Sequence, residues 1–299
     1  MNHWPYAFGG PCATAQYRAQ PEHFQVDELS ELQPSGYGDY LLLKIQKRDI
    51  NTAAVASELA KYFTVKPFAV SYAGRKDKQA VTRQWFSIKT AESYDDCNQQ
   101  IHDKFSVIAS CRHHEKIQIG ALSGNRFTIH LTQFKGDRNQ VESNLENISK
   151  QGIPNYFGPQ RFGSKNQNLI RGQRMLAGEL RVREKNQRSL YLSACRSFLF
   201  NEILAEHVKH NCWQNCIGYI PGDGDIPADC DTRDIIEAVL QRHESLVRGV
   251  SNSRVAWHKR PQSVPVTELD YCCENDLLVL SFSLPKGSFA TSLLREVIE

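Results

Sequence analysis

The sequence predicts a mixed α/β chain of the α+β kind, and three observations carry that prediction. Short extended runs rich in aromatic and β-branched residues recur from residue 1 to about 150, helical stretches separate them, and a strand followed by a helix returns at the C-terminus. Taken in order, "HFQVDEL" (23–29), "DYLLLKI" (39–45), "FAVSYAG" (68–74), "QWFSI" (84–88), "FSVIAS" (105–110) and "RFTIHL" (126–131) have the length and residue types of strands. "NTAAVASELAKYF" (51–63) begins on the cap-type residues Asn51 and Thr52 and repeats Val55, Leu59 and Phe63 at four-residue spacing, which makes one apolar stripe. "RNQVESNLENISKQG" (138–152) sets Val141, Leu145 and Ile148 on one face and stops at Gly152, a favourable residue just past a helix end. "SFLFNEILAEHV" (197–208) reads as a further amphipathic helix. Near the C-terminus "DLLVLSFSL" (276–284) alternates Leu278, Leu280 and Phe282 as a strand does, and "GSFATSLLREVIE" (287–299) closes as a helix capped near Ser288.

With 299 residues, 40% hydrophobic and 23% charged, the chain has the composition of a folded globular protein of about two domains. The helix ending at Gly152 places an edge before Pro154, so the expected division is 1–151, an insertion over 152–262, and a return segment over 263–299. No Gly/Ser linker or repeat argues for a tethered module. The N-terminus lacks a basic region followed by an apolar run, and no stretch approaches the roughly 18 apolar residues of a membrane helix, which points to the cytoplasm. Nine scattered cysteines fit free thiols in a reducing compartment. A net charge of +3 identifies no partner, so its distribution decides. Residues 161–188 carry eight Lys or Arg against Glu179 and Glu184, whereas 218–245 is predominantly acidic. Phosphate-loop, dinucleotide and nucleophile-elbow patterns are absent, which removes the usual support for nucleotide hydrolysis and acyl transfer.

Four stretches could carry chemistry. In "AGRKDKQAVTRQWFSI" (73–88) Asp77 stands among Arg75, Lys76, Lys78 and Arg83, where neighbouring cations favour a carboxylate able to act as nucleophile or base. A solvated turn has the same composition, but this one joins two strands, where sites are often built. In "GALSGNRFTIHL" (120–131) Asn125 and Phe127 offer an amide edge and a stacking face, or simply lead a loop into a strand. In "NYFGPQRFG" (155–163) Tyr156 and Arg161 suit base stacking and phosphate contact, or a cluster at a domain junction, and Arg171 and Arg174 extend the basic stretch beyond it. "HVKHNCWQNC" brings His207, His210, Cys212 and Cys216 close in sequence, but no second Cys pair at standard spacing completes a metal set, so no metal is expected.

Five motifs in register, "AGRKDKQAVTRQWFSI", "HHEKIQIGALSGNRFTIHL", "GIPNYFGPQRFG", "RSLYLSACRSFLFNEILAEH" and "LPKGSFATSLLREV", resemble the TruD family of tRNA pseudouridine synthases. The resemblance implies a catalytic domain on a mixed, largely antiparallel sheet flanked by helices, interrupted by a smaller α/β TRUD domain. It implies isomerisation of a uridine in tRNA, at position 13 in the D arm, with no cofactor. Asp77 matches the family's catalytic aspartate within Gly74, Lys76, Lys78, Ala80, Thr82 and Gln84. Asn125 and Phe127 match residues lining the uridine pocket. Arg18, ahead of Pro21, Glu22 and Phe24, takes the place of the basic residue, usually Lys, that pairs with the aspartate. Region 217–260 is shorter than in bacterial relatives, and "CRHHEKIQ" is less basic than the family's run. Two rivals share these residues in part: a structured-RNA binder without catalysis, which needs no Asp77, and the same isomerisation on another RNA.

Overall fold

The computed structural model describes residues 4–94 and 101–298. In chain order its first elements are β1 (Ala13–Gln16), β2 (Phe24–Leu29), β3 (Tyr40–Arg48), α1 (Thr52–Tyr62), β4 (Val70–Tyr72), β5 (Val81–Lys89), β6 (Phe105–His113) and β7 (Gly124–Gly136). There follow α2 (Arg138–Gln151), β8 (Ile153–Pro154), α3 (Pro159–Phe162), α4 (Gln167–Leu176), α5 (Lys185–Lys209), β9 (Tyr219–Ile220), α6 (Arg233–Arg242) and α7 (Glu244–Asn252). The chain ends with β10 (His258–Lys259), β11 (Ser263–Val264), β12 (Thr267–Glu274), β13 (Leu277–Pro285) and α8 (Ala290–Leu294).

Contacts group these elements into two units. A sheet unit comprises Ala13–Gly136 and Val266–Gly287, and a helical unit comprises Met1–Cys12, Asp137–Pro265 and Ser288–Glu299. Where the sequence reading draws edges at 151/152 and 262/263, the contacts thus group α2 and α8 with the helical unit.

In the sheet unit the strand order is β12-β13-β7-β2-β5-β3-β6, with β1 added on β7 and β4 on β5. Among the described residues every pairing in this sheet is antiparallel except β2 with β5, where Gln25, Val26 and Asp27 lie opposite Val81, Thr82 and Arg83 in parallel. The apolar stripe of α1 explains the packing of one face: Val55, Leu59 and Phe63 are buried with Leu43, Ile45, Phe86, Ile88 and Val107. Each such side chain contributes on the order of 1.5–3 kcal/mol by leaving water. Leu42, pointing to the opposite face as alternation requires, packs with Ala73 and Ile117, so the sheet is covered on both sides there.

The helical unit is organised by α5, whose apolar residues feed two clusters. One holds Tyr156, Phe157, Phe162, Phe198 and Trp213, the other Ile203, Ile226, Ile236 and Val239. Asp137 caps α2 by accepting from the amides of Asn139 and Gln140 at 3.0 and 3.3 Å. Two capping expectations need correction. The closing helix is only Ala290–Leu294 and follows Phe289, not Ser288; Phe289 packs into the apolar cluster, and this anchoring replaces a side-chain cap. Asn51 occupies the cap position of α1 without a side-chain cap bond, and the hydroxyl of Thr52 is committed elsewhere. Among the described residues no helix is long and apolar enough to cross a membrane.

Candidate functional site

The parallel pairing of β2 with β5 decides where the candidate residues meet. Because β2 and β5 run the same way, the segments that enter them lie at the same end of the sheet. Arg18 is on the first and Asp77 on the second. Arg18 has φ of 65°, a left-handed backbone that costs a non-glycine residue on the order of 1 kcal/mol and so marks a side chain held in place by its surroundings. Its guanidinium lies 3.9 Å above the Phe24 ring centroid, and Nη2 donates to Asp77 Oδ2 at 2.9 Å. The Asp77 side chain is 35% exposed and its partner's 19%, so the pair is reachable from solvent. Oδ1 of Asp77 has no hydrogen-bond partner among the described residues.

The loop that carries Asp77 is clamped through its backbone. Gln84 Nε2 donates to the Gly74 carbonyl at 3.0 Å, and the Lys76 amide donates to Thr52 Oγ1 at 2.9 Å. The Thr52 hydroxyl in turn donates to Gln84 Oε1 at 3.1 Å, and Lys47 Nζ donates to the Asp77 carbonyl at 2.6 Å. Lys47 is fully buried; burial pushes its pKa down from 10.5 to about 8, although the Asp77 charge pulls it up. Lys76 is likewise lowered by burial, against the opposing pull of Glu28 and Asp77. Its Nζ lies 2.5 Å from Asn125 Oδ1 and 3.2 Å from Glu28 Oε2, and both side chains of the ion pair are nearly dry.

A strand wall completes the site. Gly124 and Asn125 begin β7, and Gly124 is required there: a Cβ would stand 2.3 Å from the Leu284 carbonyl oxygen of β13. Phe127 is 6% exposed, stacked at 5.3 Å and 26° on Phe282 and edge-on at 6.1 Å to Phe24. Arg18, Phe24, Phe127 and Phe282 therefore form a continuous layered wall below the acid.

Of the residues singled out in the sequence, Arg18, Lys76, Asp77, Gln84, Asn125 and Phe127 are brought together in the sheet unit, with Gln84 fully buried as a loop clamp. Lys78 and Arg75 point outward, and Arg83 pairs with Asp27 at 3.0 Å. The others belong to the helical unit. Tyr156 is a core side chain, 2% exposed and stacked on Trp4 at 5.7 Å and 14°. Arg161 lies over the Phe157 ring at 4.9 Å and bonds Ser193, Arg171 donates to the Tyr191 hydroxyl at 3.2 Å, and Arg174 approaches Glu179 at 3.7 Å. Every Lys or Arg of 161–188 except Arg161 is exposed.

Three participants escape the motif reading: Thr52, Glu28 and Lys47. A signal for two of them exists. Lys47 shares the phase of Leu43 and Ile45 in β3, and Glu28 that of Phe24 and Val26 in β2, so alternation assigns both charges to inward positions.

The chain matches the family model described as tRNA pseudouridine synthase D (TruD) over residues 1–183 and 215–297. It is 32% identical over 335 residues to the tRNA pseudouridine synthase D of Hydrogenovibrio crunogenus, with 100% of this chain and 97% of that one covered. It is 36% identical over 331 residues to the protein of the same name from Pseudomonas fluorescens, covering 99% and 94%. In fold it is similar to the crystal structure of a Methanosarcina mazei chain ascribed to the same name, with a TM-score of 0.78 at 19% identity over 98% of this chain and 95% of that one.

Proposed function

The chain belongs to the tRNA pseudouridine synthase D (TruD) family, and from that premise we propose that it isomerises one uridine of tRNA, at position 13 in the D arm, with Asp77 as its single catalytic carboxylate. The observation that carries the reading is the 2.9 Å pair of Arg18 with one oxygen of a partly exposed Asp77, on a loop whose backbone is clamped at Gly74, Lys76 and Asp77. The reaction breaks the N1–C1′ bond, turns the base and joins C5 to C1′, while the C5 proton is given up and N1 gains one. Redox state is unchanged, so no cofactor enters.

In this reading Arg18 holds one Asp77 oxygen and leaves the other to face the ribose, either at C1′ as nucleophile or at the C2′ proton as base. The guanidinium fixes the direction of the carboxylate and stands beside it as a counter-charge as the site closes on the nucleoside. The uridine must leave its stack to reach the acid, and Phe127, held by Phe24 and Phe282 behind it, is the ring placed to back its base. Asn125, whose Oδ1 is taken by Lys76, keeps its amide donors for an edge of uracil. The exposed cations of 161–188 serve the tRNA phosphates, and the proposal includes a cytoplasmic location.

Asp77→Asn tests the assignment. Product is expected to fall at least ~10³-fold with tRNA affinity within about 2-fold, as for loss of a group that acts in the transition state. A variant that retains turnover refutes the assignment of Asp77, and a variant that has lost turnover yet fully restores cellular function favours an RNA-binding role. Mapping pseudouridines in total RNA with and without the gene tests the position; a lost site in a different RNA overturns position 13 and leaves the chemistry.

A further inference from the structure

We propose that His207, Cys212 and Cys216 bind a thiophilic divalent cation, zinc by the chemistry of the donor set, as a structural site at the C-terminal end of α5. This assignment is independent of the uridine site. A ligating atom from each of the three residues lies within 4.8 Å of those of the other two. Zinc bonded to sulfur at about 2.3 Å and to nitrogen at about 2.0 Å in a tetrahedron separates its ligands by roughly 3.5–4 Å, so binding asks for a contraction of no more than about 1 Å. His210 is not part of the group: the fold draws three donors from the run, a set that binds a cation without a second Cys pair when a further ligand fills the remaining position.

The surroundings hold the donors in place. The Cys212 amide donates to the His207 carbonyl at 2.9 Å, and Trp213, 1% exposed in the apolar cluster, anchors the turn between the two cysteines. His207 is fully buried, with Nδ1 2.7 Å from Gln262 Oε1 and Nε2 2.8 Å from Thr232 Oγ1. With Nδ1–H donated to the Gln262 oxygen, the lone pair falls on Nε2, where the cation displaces the Thr232 hydroxyl. That outer partner is the kind that orients a ligating imidazole and sets its tautomer. The three protein donors span ten residues, so closing the chelate adds little loop entropy. The group stops at three protein donors among the described residues, which leaves the fourth position to water. Binding converts thiols to thiolates and releases their protons, and no electron transfer is involved.

The test uses the full chain, reduced, stripped with a chelator and titrated with Co²⁺. About one Co²⁺ per chain is expected, with intense thiolate-to-cobalt absorption and the visible bands of tetrahedral cobalt, both abolished by an equivalent of Zn²⁺. Cys212→Ser and Cys216→Ser, checked for folding by circular dichroism, are expected to weaken the affinity at least ~100-fold, beyond the roughly 10–100-fold effect of an outer-sphere change. Cys272→Ser, at an exposed thiol of β12, leaves it within about 2-fold. Substoichiometric uptake by the unaltered chain, cobalt spectra without thiolate bands, or a Cys212–Cys216 disulfide in protein freshly isolated from the cytoplasm overturns the proposal.

Discussion

Lys47→Met isolates what a buried ammonium does beneath Asp77. At neutral pH the unaltered chain keeps this group charged in a dry setting, and the fall of its pKa from 10.5 to about 8 measures the cost. At ~1.4 kcal/mol per pH unit that amounts to about 3 kcal/mol. Because the folded value lies below the unfolded one, the unfolded chain binds the proton more tightly between them. Stability from this group is therefore fullest above 10.5 and lost as pH falls through about 8. Methionine removes the cost, but it leaves the Asp77 carbonyl without its 2.6 Å donor, a loss of about 1–3 kcal/mol. Near pH 7 the two effects offset, and the variant is expected within about 2 kcal/mol of the parent. Between pH 8 and 10 the parent gains on the variant by up to about 3 kcal/mol. Chemical denaturation across that range reads the difference directly. A difference that is flat with pH, or one in which the variant gains on the parent as pH rises, refutes the reasoning. The same substitution frees the Asp77 backbone, so turnover is expected to fall roughly 10–100-fold, the scale of a small misplacement of a reacting group.

Other perturbations test neighbouring contacts. Arg18→Lys preserves the charge but loses the fork and the flat contact with Phe24, and initial rates on tRNA are expected to fall about 10-fold, less than for Arg18→Met. Glu28→Leu leaves the Lys76 ammonium buried without its counter-ion and should cost about 3–5 kcal/mol in urea unfolding, most of it recovered when Lys76→Met is added. Gly124→Ala drives a methyl against the Leu284 carbonyl and should lower stability by about 1–3 kcal/mol; an unchanged melting temperature contradicts the observed β7–β13 approach.

Much of the sheet unit was legible because its strands alternate. Phe24, Val26, Leu43, Ile45, Ile129 and Leu131 announce their phase, and the α1 stripe announces the face it covers. The register was not legible: nothing in "HFQVDEL" or "TRQWFSI" states that these two strands pair in parallel, and that pairing brings Arg18 to Asp77. Arg18 was reached through the family resemblance alone, since an arginine in a turn has no local signature. Thr52 illustrates the opposite limit. Its residue type and position predict a cap, but the tertiary setting gives its hydroxyl to Lys76 and Gln84. Tyr156 shows that composition cannot separate a stacking platform from a core ring; only the packing of Trp4 does that.

The sheet unit is discontinuous in sequence, since β12 and β13 are made only after the whole of Asp137–Pro265. During translation β7 thus emerges long before its neighbour β13 exists. At roughly 5–20 residues per second the delay is on the order of ten seconds. For that interval a nascent β7 has an open hydrogen-bonding edge, the exposure that invites mispairing with another chain. Ribosomes stalled before Val266 should accordingly display an unfinished sheet sensitive to protease, and translation speed across the intervening segment becomes a determinant of yield.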